Sequence, residues 1–191
     1  MLRRAVRLLL HPASEWRSIA TQPTTTTELY HYALVMAAIQ PIAAFIGYSV
    51  VGVSLGILSH PLRMPIEWGA SRAILGYVLW LAGVYITALI VAELAPKFQG
   101  RAEFIDGLKI AVYAPTAFWL AGIFMLVPSA GAILSLLGLY GVYTLAVGLP
   151  IVTRSPPDES MWYVTAIVLC YIAIVALIAL FSLEILPGLG A

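Results

Sequence analysis

Charge is scarce in this chain. Only 10% of its 191 residues are charged, whereas 62% are hydrophobic. Mean hydropathy is +0.98. A soluble domain carries about 25% charged residues. So poor a supply cannot cover a monomeric water-facing surface. It excludes an ordinary cytosolic enzyme, a disordered protein and a nucleic-acid binder. Neither sign dominates: ten basic and nine acidic residues leave a net charge of +1, so no polyanion partner is implied. Cysteine is nearly absent. Cys170 alone forms neither an internal disulfide nor a cysteine metal site, and it reads as a small hydrophobe in an apolar run. Histidine is also sparse, with His11, His31 and His60 in three separate segments. No HExxH, CxxC, GxSxG or Walker sequence occurs. No metal, cofactor or catalytic residue is therefore expected, and the chain reads as non-enzymatic.

What is present is long apolar runs. A span needs roughly 20 mostly apolar residues. Five such runs occur, at about 32–58, 73–95, 105–127, 130–152 and 161–186. Helices satisfy their own backbone in lipid, and the run from Ile167 to Val175 lacks the alternation of a barrel strand. The expected fold is all-α: a five-helix membrane bundle over residues 29–191, preceded by an arm at 1–28. Pro96 and the polar stretch Lys97–Arg101 end the second span. Pro128-Ser129 leaves almost no loop between the third and fourth.

The arm places Arg3, Arg4 and Arg7 beside Leu2, Val6, Leu9 and Leu10 at helical spacing, and Pro12 opens a second short piece. This predicts one or two amphipathic helices lying in the interface, with Trp16 at headgroup depth and Arg3, Arg4, Arg7 and Arg17 on headgroups. One threonine of Thr24–Thr27 should cap the first span. With the N-terminus in the cytoplasm, those four arginines lie inside together with Lys97, Arg101, Lys109 and Arg154, leaving Arg63 and Arg72 outside. This bias predicts an inner-membrane protein with its N-terminus in and its C-terminus out.

Ionisable groups near hydrocarbon are costly and mark candidate sites. Glu93 sits near the end of the second span, while Glu103, Asp106 and Lys109 form one stripe at the start of the third. They read either as an interfacial charge cluster or as the polar mouth of a cavity. Pro41 and Pro115 interrupt helices and release the carbonyls of Ala37 and Ala111. Gln40 is the only amide side chain inside a span. Gly52 and Gly56 form a GxxxG match, and glycines recur seven apart at Gly69, Gly76 and Gly83 and at Gly141 and Gly148. Such smooth stripes suit close helix packing within the chain or between copies.

The stretch Ala102–Pro115, with Phe104, Tyr113, Ala114 and Pro115, resembles a conserved segment of the Ypt/Rab-GTPase-interacting (Yip) membrane-protein family. Leu139–Pro150, with Tyr140, Tyr143, Gly148 and Pro150, is similar to a second segment, and Pro12, Trp16 and Ile19 resemble the start of bacterial members. The resemblance implies a five-span bundle with a cytoplasmic N-terminus. Eukaryotic members of the family are adaptors that work with small GTPases. This chain has only about thirty residues before its first span, and it lacks the Asp-Leu-Tyr-Gly-Pro motif. Small-GTPase binding is therefore not carried over.

Three functions follow in order of preference. The first is a non-enzymatic inner-membrane adaptor or organiser that binds lipids, a partner membrane protein or further copies of itself. The second is a small transporter, channel or lipid-moving protein with a polar path near Glu93 and Asp106. The third, a lipid-headgroup enzyme, lacks a recognisable nucleophile–base pair.

Overall fold

The structure is a computed structural model, and it describes residues 1–54 and 60–184. The expected span ends at Leu58 and Leu186, Gly56 of the GxxxG match and the tail Pro187–Ala191 lie outside the described residues. Among the described residues the chain is helical, with a lone antiparallel bridge between Val53 and Leu62.

Five helical stretches are long and apolar enough to cross a membrane: Thr26–Val51, Ile66–Phe98, Phe104–Leu126, Ser135–Thr153 and Pro157–Leu177. The number matches the sequence reading. Two helices precede them, α1 (Leu2–Leu10) and α2 (Pro12–Thr21). The first span is α3 (Thr26–Ala37), α4 (Ile39–Phe45) and a π-helical turn at Ile46–Val51. It ends earlier than expected, because Gly52 turns the chain with φ +86° and the bridge to Leu62 follows. Gly52 is thus at a turn and not on a helical GxxxG face.

The second span is α5 (Ile66–Leu94), closed by a 3₁₀ turn at Ala95–Phe98 around Pro96. The third is α6 (Phe104–Tyr113), α7 (Thr116–Ala121) and a 3₁₀ turn to Leu126. Pro115 makes the break between α6 and α7. Then come α8 (Pro128–Leu134), a 3₁₀ turn at Ser135–Leu139, α9 (Tyr140–Thr153) and α10 (Pro157–Glu184).

Two spans start with capping boxes, in which side chains replace missing intrahelical partners of the first amides. Thr25 Oγ1 accepts from the Glu28 amide at 3.3 Å, and the Glu28 carboxylate accepts from the Thr25 amide. Glu103 and Asp106 cap α6 in the same reciprocal way.

The arm differs from the expected surface helices. Arg4 of α1 bonds both Glu15 and Gln22, which lie at opposite ends of α2, so the two helices fold as a hairpin. Its tip is tied down by Tyr140, whose hydroxyl donates to the Leu9 carbonyl at 2.9 Å. At ~1.5 Å per residue, Tyr140 lies roughly 20 Å along α9 from Thr153. The hairpin therefore lies along the bundle and not flat across its end. Ala5, Leu8, Trp16 and Ile19 join the same buried core as α3, α5, α6, α9 and α10. Arm and bundle share one core.

Candidate functional site

The most connected polar group in the molecule sits where the hairpin meets the bundle. Its centre is Tyr113, the last residue of α6, held beside the Pro115 break. Arg4 Nη1 donates to the Tyr113 hydroxyl at 3.0 Å, and its guanidinium carbon lies 5.5 Å from that ring's centroid. Arg4 Nε donates to Glu15 at 3.2 Å, and Nη2 donates to Gln22 at 2.5 Å. Arg7 approaches the other Glu15 oxygen at 3.9 Å. Glu15 is only 5% exposed, so these partners replace the water that a surface carboxylate would bind. Burial works to lower the pKa of Arg4, but the bonds to Tyr113 and Glu15 outweigh it and raise the pKa above its ordinary value. The guanidinium stays cationic.

Aromatic packing surrounds this ion pair. The Tyr113 ring meets Tyr32 edge-on at 4.9 Å and Trp16 at 6.4 Å. The Tyr32 hydroxyl shares a 3.0 Å hydrogen bond with Thr116 Oγ1, which donates to the Tyr113 carbonyl at 2.7 Å. Across the break, Thr144 Oγ1 donates to the Ala114 carbonyl at 3.0 Å. Two carbonyls beside Pro115 are thereby satisfied by hydroxyls. This is the usual way a membrane helix tolerates a proline.

Trp16 is packed inside the protein and is not exposed on the arm's outer face. Its side chain is wholly buried, and the indole lies over Gly148. A Cβ added at Gly148 would stand 2.2 Å from the indole, so only glycine admits the ring. Five of the residues singled out in the sequence (Trp16, Tyr113, Pro115, Tyr140 and Gly148) thus build the seat of the hairpin. The Tyr143 ring lies tilted beside that of Tyr140, with centroids 5.3 Å apart. Pro150 lies within α9. Arg4 is turned inward, whereas Arg3, Arg7 and Arg17 remain exposed.

The acidic stripe is partly assembled. Asp106 Oδ1 lies 3.8 Å from the buried Lys109 ammonium, and Glu103 and Asp106 cap α6. Glu93 is exposed, and among the described residues no ion pair joins it to this stripe. Glu103 and Asp106 line a cavity of about 910 Å³ at the end of the bundle. Gln40 and Pro41 line a second one of about 590 Å³, with Arg72 and Trp80. The two cavities lie toward opposite ends of α5.

Sequence reasoning missed Glu15, Gln22, Tyr32 and Thr116 as partners. The only available signal for Glu15 was an acid near three arginines, and Tyr32 and Thr116 gave none. No group of three or more metal-ligating side chains occurs among the described residues.

The Yip1 domain model matches residues 6–180. The chain is 29% identical over 160 residues to inner membrane protein YohC of Escherichia coli strain K12, covering 81% of this chain and 80% of that protein. YohC of Escherichia coli O6:H1 matches to the same extent. No solved structure matches the chain. With its five apolar helices, its Tyr113–Pro115 break and a family match running almost end to end, the chain belongs to the Yip1-domain family of membrane proteins.

Proposed function

We propose that this protein is a non-enzymatic adaptor or organiser of the inner membrane, binding lipids or partner membrane proteins through its N-terminal hairpin. One observation carries the reading. The hairpin spends one face on the core and leaves another uncovered. Leu2, Val6 and Leu10 are exposed at successive turns of α1, and Arg3 and Arg7 are exposed on the same helix. Apolar side chains beside arginines suit the boundary between acyl chains and anionic headgroups, or the flank of another membrane helix. The basic residues are taken to face the cytoplasm, with the N-terminus inside.

The test is to extract the protein in native lipid patches and identify what co-purifies by mass spectrometry. The comparison is a variant with Leu2→Ser, Val6→Ser, Leu10→Ser, Arg3→Gln and Arg7→Gln. A stoichiometric partner protein or an enriched lipid class that the variant loses supports the reading. An identical retinue in both forms overturns it. A reporter inserted after Gly100 tests orientation, and external accessibility would reverse the assignment.

A second reading, a small transporter or lipid-moving protein, draws on the two cavities toward opposite ends of α5, one bearing Asp106 and the other Gln40 and Pro41. Flux into vesicles that disappears in the Glu93→Gln, Asp106→Asn double variant would favour it.

A further inference from the structure

The larger cavity is walled by three different parts of the chain. Arg17 and Thr21 come from the end of α2, Gln99–Glu103 from the loop between α5 and α6 with Asp106 just inside α6, and Arg154 from the end of α9. Three guanidinium groups thus line one opening of about 910 Å³. Each belongs to an exposed residue, and among the described residues none of them makes a hydrogen bond or ion pair. The two carboxylates of the same lining have other partners. Glu103 and Asp106 cap α6, and Asp106 also faces Lys109. Among the described residues neither carboxylate forms an ion pair with the three arginines, which with Lys109 outnumber the two acids.

The backbone that carries these arginines is fixed. The Arg101 amide donates to the Thr153 carbonyl at 2.7 Å, so the two loops are joined. The Gly100 amide donates to the Ala95 carbonyl at 2.9 Å. Arg154 and Gln99 both adopt left-handed φ of 55°, a conformation that costs side-chain-bearing residues energy. The chain keeps Arg154 in that turn although asparagine or glycine would fit it at lower cost. From that turn the Arg154 side chain lines the cavity. Arg17 follows Trp16, whose indole is clamped on Gly148, so its position on the rim is fixed as well.

Three unpaired guanidinium groups around one opening match a phosphate, whose oxygens accept several charge-assisted hydrogen bonds at once. We infer that the cavity lined by Arg17, Arg101 and Arg154 binds a phosphate group, and that the bound phosphate bridges the N-terminal hairpin to the two loops. The source is the headgroup of an anionic phospholipid or a soluble phosphate ester. The lipid source rests on the membrane-organiser reading, whereas the arginine site does not.

The test uses the full-length protein in phosphatidylcholine nanodiscs containing a small fraction of phosphatidylglycerol, read by native mass spectrometry and by thermal unfolding. The variant carries Arg17→Gln, Arg101→Gln and Arg154→Gln, and Arg63→Gln is the control. Wild type and control should retain phosphatidylglycerol and unfold at higher temperature with it, and the triple variant should bind at least about tenfold more weakly. If glycerol 3-phosphate stabilises the wild type and phosphatidylglycerol does not, the arginine site stands and the lipid-binding role of this region falls. If phosphatidylglycerol binds equally to wild type and variant, lipid binding stands and the arginine site is overturned. Absence of stabilisation by either probe also overturns the site. Should the triple variant fail to fold, Arg17→Gln alone replaces it, because that exposed side chain makes no bond, and a drop in affinity is again the supporting result.

Discussion

The end of the bundle beside the Gln99–Glu103 loop is built differently from the end beside Val127. At the first end, α3 and α6 start with capping boxes and a set of large apolar side chains is fully buried. Trp16, Leu29, Val91, Leu108 and Leu149 are all nearly inaccessible. Tyr163 also donates to the Val91 carbonyl there. At the second end the helices dissolve into a π-helical turn at Ile46–Val51 and 3₁₀ turns at Gly122–Leu126 and Ser135–Leu139. Ile133, Leu136, Leu137 and Leu139 are exposed. The difference teaches where this sequence specifies one structure. Interlocked polar and aromatic contacts fix the hairpin end, while the far end relies on close backbone approach at Gly47 and Gly131 and leaves much apolar surface exposed.

The sharpest way to break this comparison is to empty the seat of the hairpin. Trp16→Ala leaves a void over Gly148, and a large aromatic lost from a packed site costs about 3–5 kcal/mol. Ile133→Ala at the far end should stay within about 0.5 kcal/mol, because its side chain is already exposed. Chemical unfolding in one detergent measures both. Equal losses would mean that the two ends are packed alike.

A second contrast concerns backbone approach. A Cβ at Gly107 would lie 2.2 Å from the Ala88 carbonyl oxygen, so α5 and α6 touch backbone to backbone there. Gly107→Ala must push the helices apart and should cost about 1–3 kcal/mol, as overpacking does. Unfolding of this variant at the wild-type midpoint would show that α6 shifts freely.

The third contrast separates charge from packing. Glu15→Gln strands Arg4, whose side chain is 28% exposed, and should cost about 1–3 kcal/mol. Adding Arg4→Met removes the stranded charge, so the double variant should recover part of the loss. A double variant as unstable as the sum of the singles would show that the two residues act independently.

The five spans were legible because lipid imposes a length and an apolar composition that no other signal imitates. The hairpin was legible as two helices and illegible as a packed element. Arg4 and Trp16 are the residue types expected at headgroups, and nothing local distinguishes a tryptophan in the interface from one wedged over a glycine more than a hundred residues away. Gly148 held half of that information, and its meaning emerged only when the indole was placed. The same holds for Glu15 and Tyr113, which meet across three helices through Arg4. The stripe of Glu103, Asp106 and Lys109 is local in sequence, and its contacts, the capping box and the Asp106–Lys109 pair, are local too. Glu93 was grouped with it by proximity along the chain, but its exposed side chain makes no pair there.

The smallest expected effect tests the far half from the other direction. Gly76 lies within α5 and lines the cavity around Gln40 and Pro41, and an added Cβ there meets nothing within 4 Å. No close helix approach requires this glycine, although its sevenfold spacing with Gly69 and Gly83 suggests a packing stripe. Gly76→Ala should therefore be stabilising by about 0.5 kcal/mol, since alanine restricts the unfolded chain and favours the helix. If it instead lowers stability, a surface from another copy or a partner occupies this groove in the membrane, and the face around Gly76 is packed by a neighbour and not by its own chain.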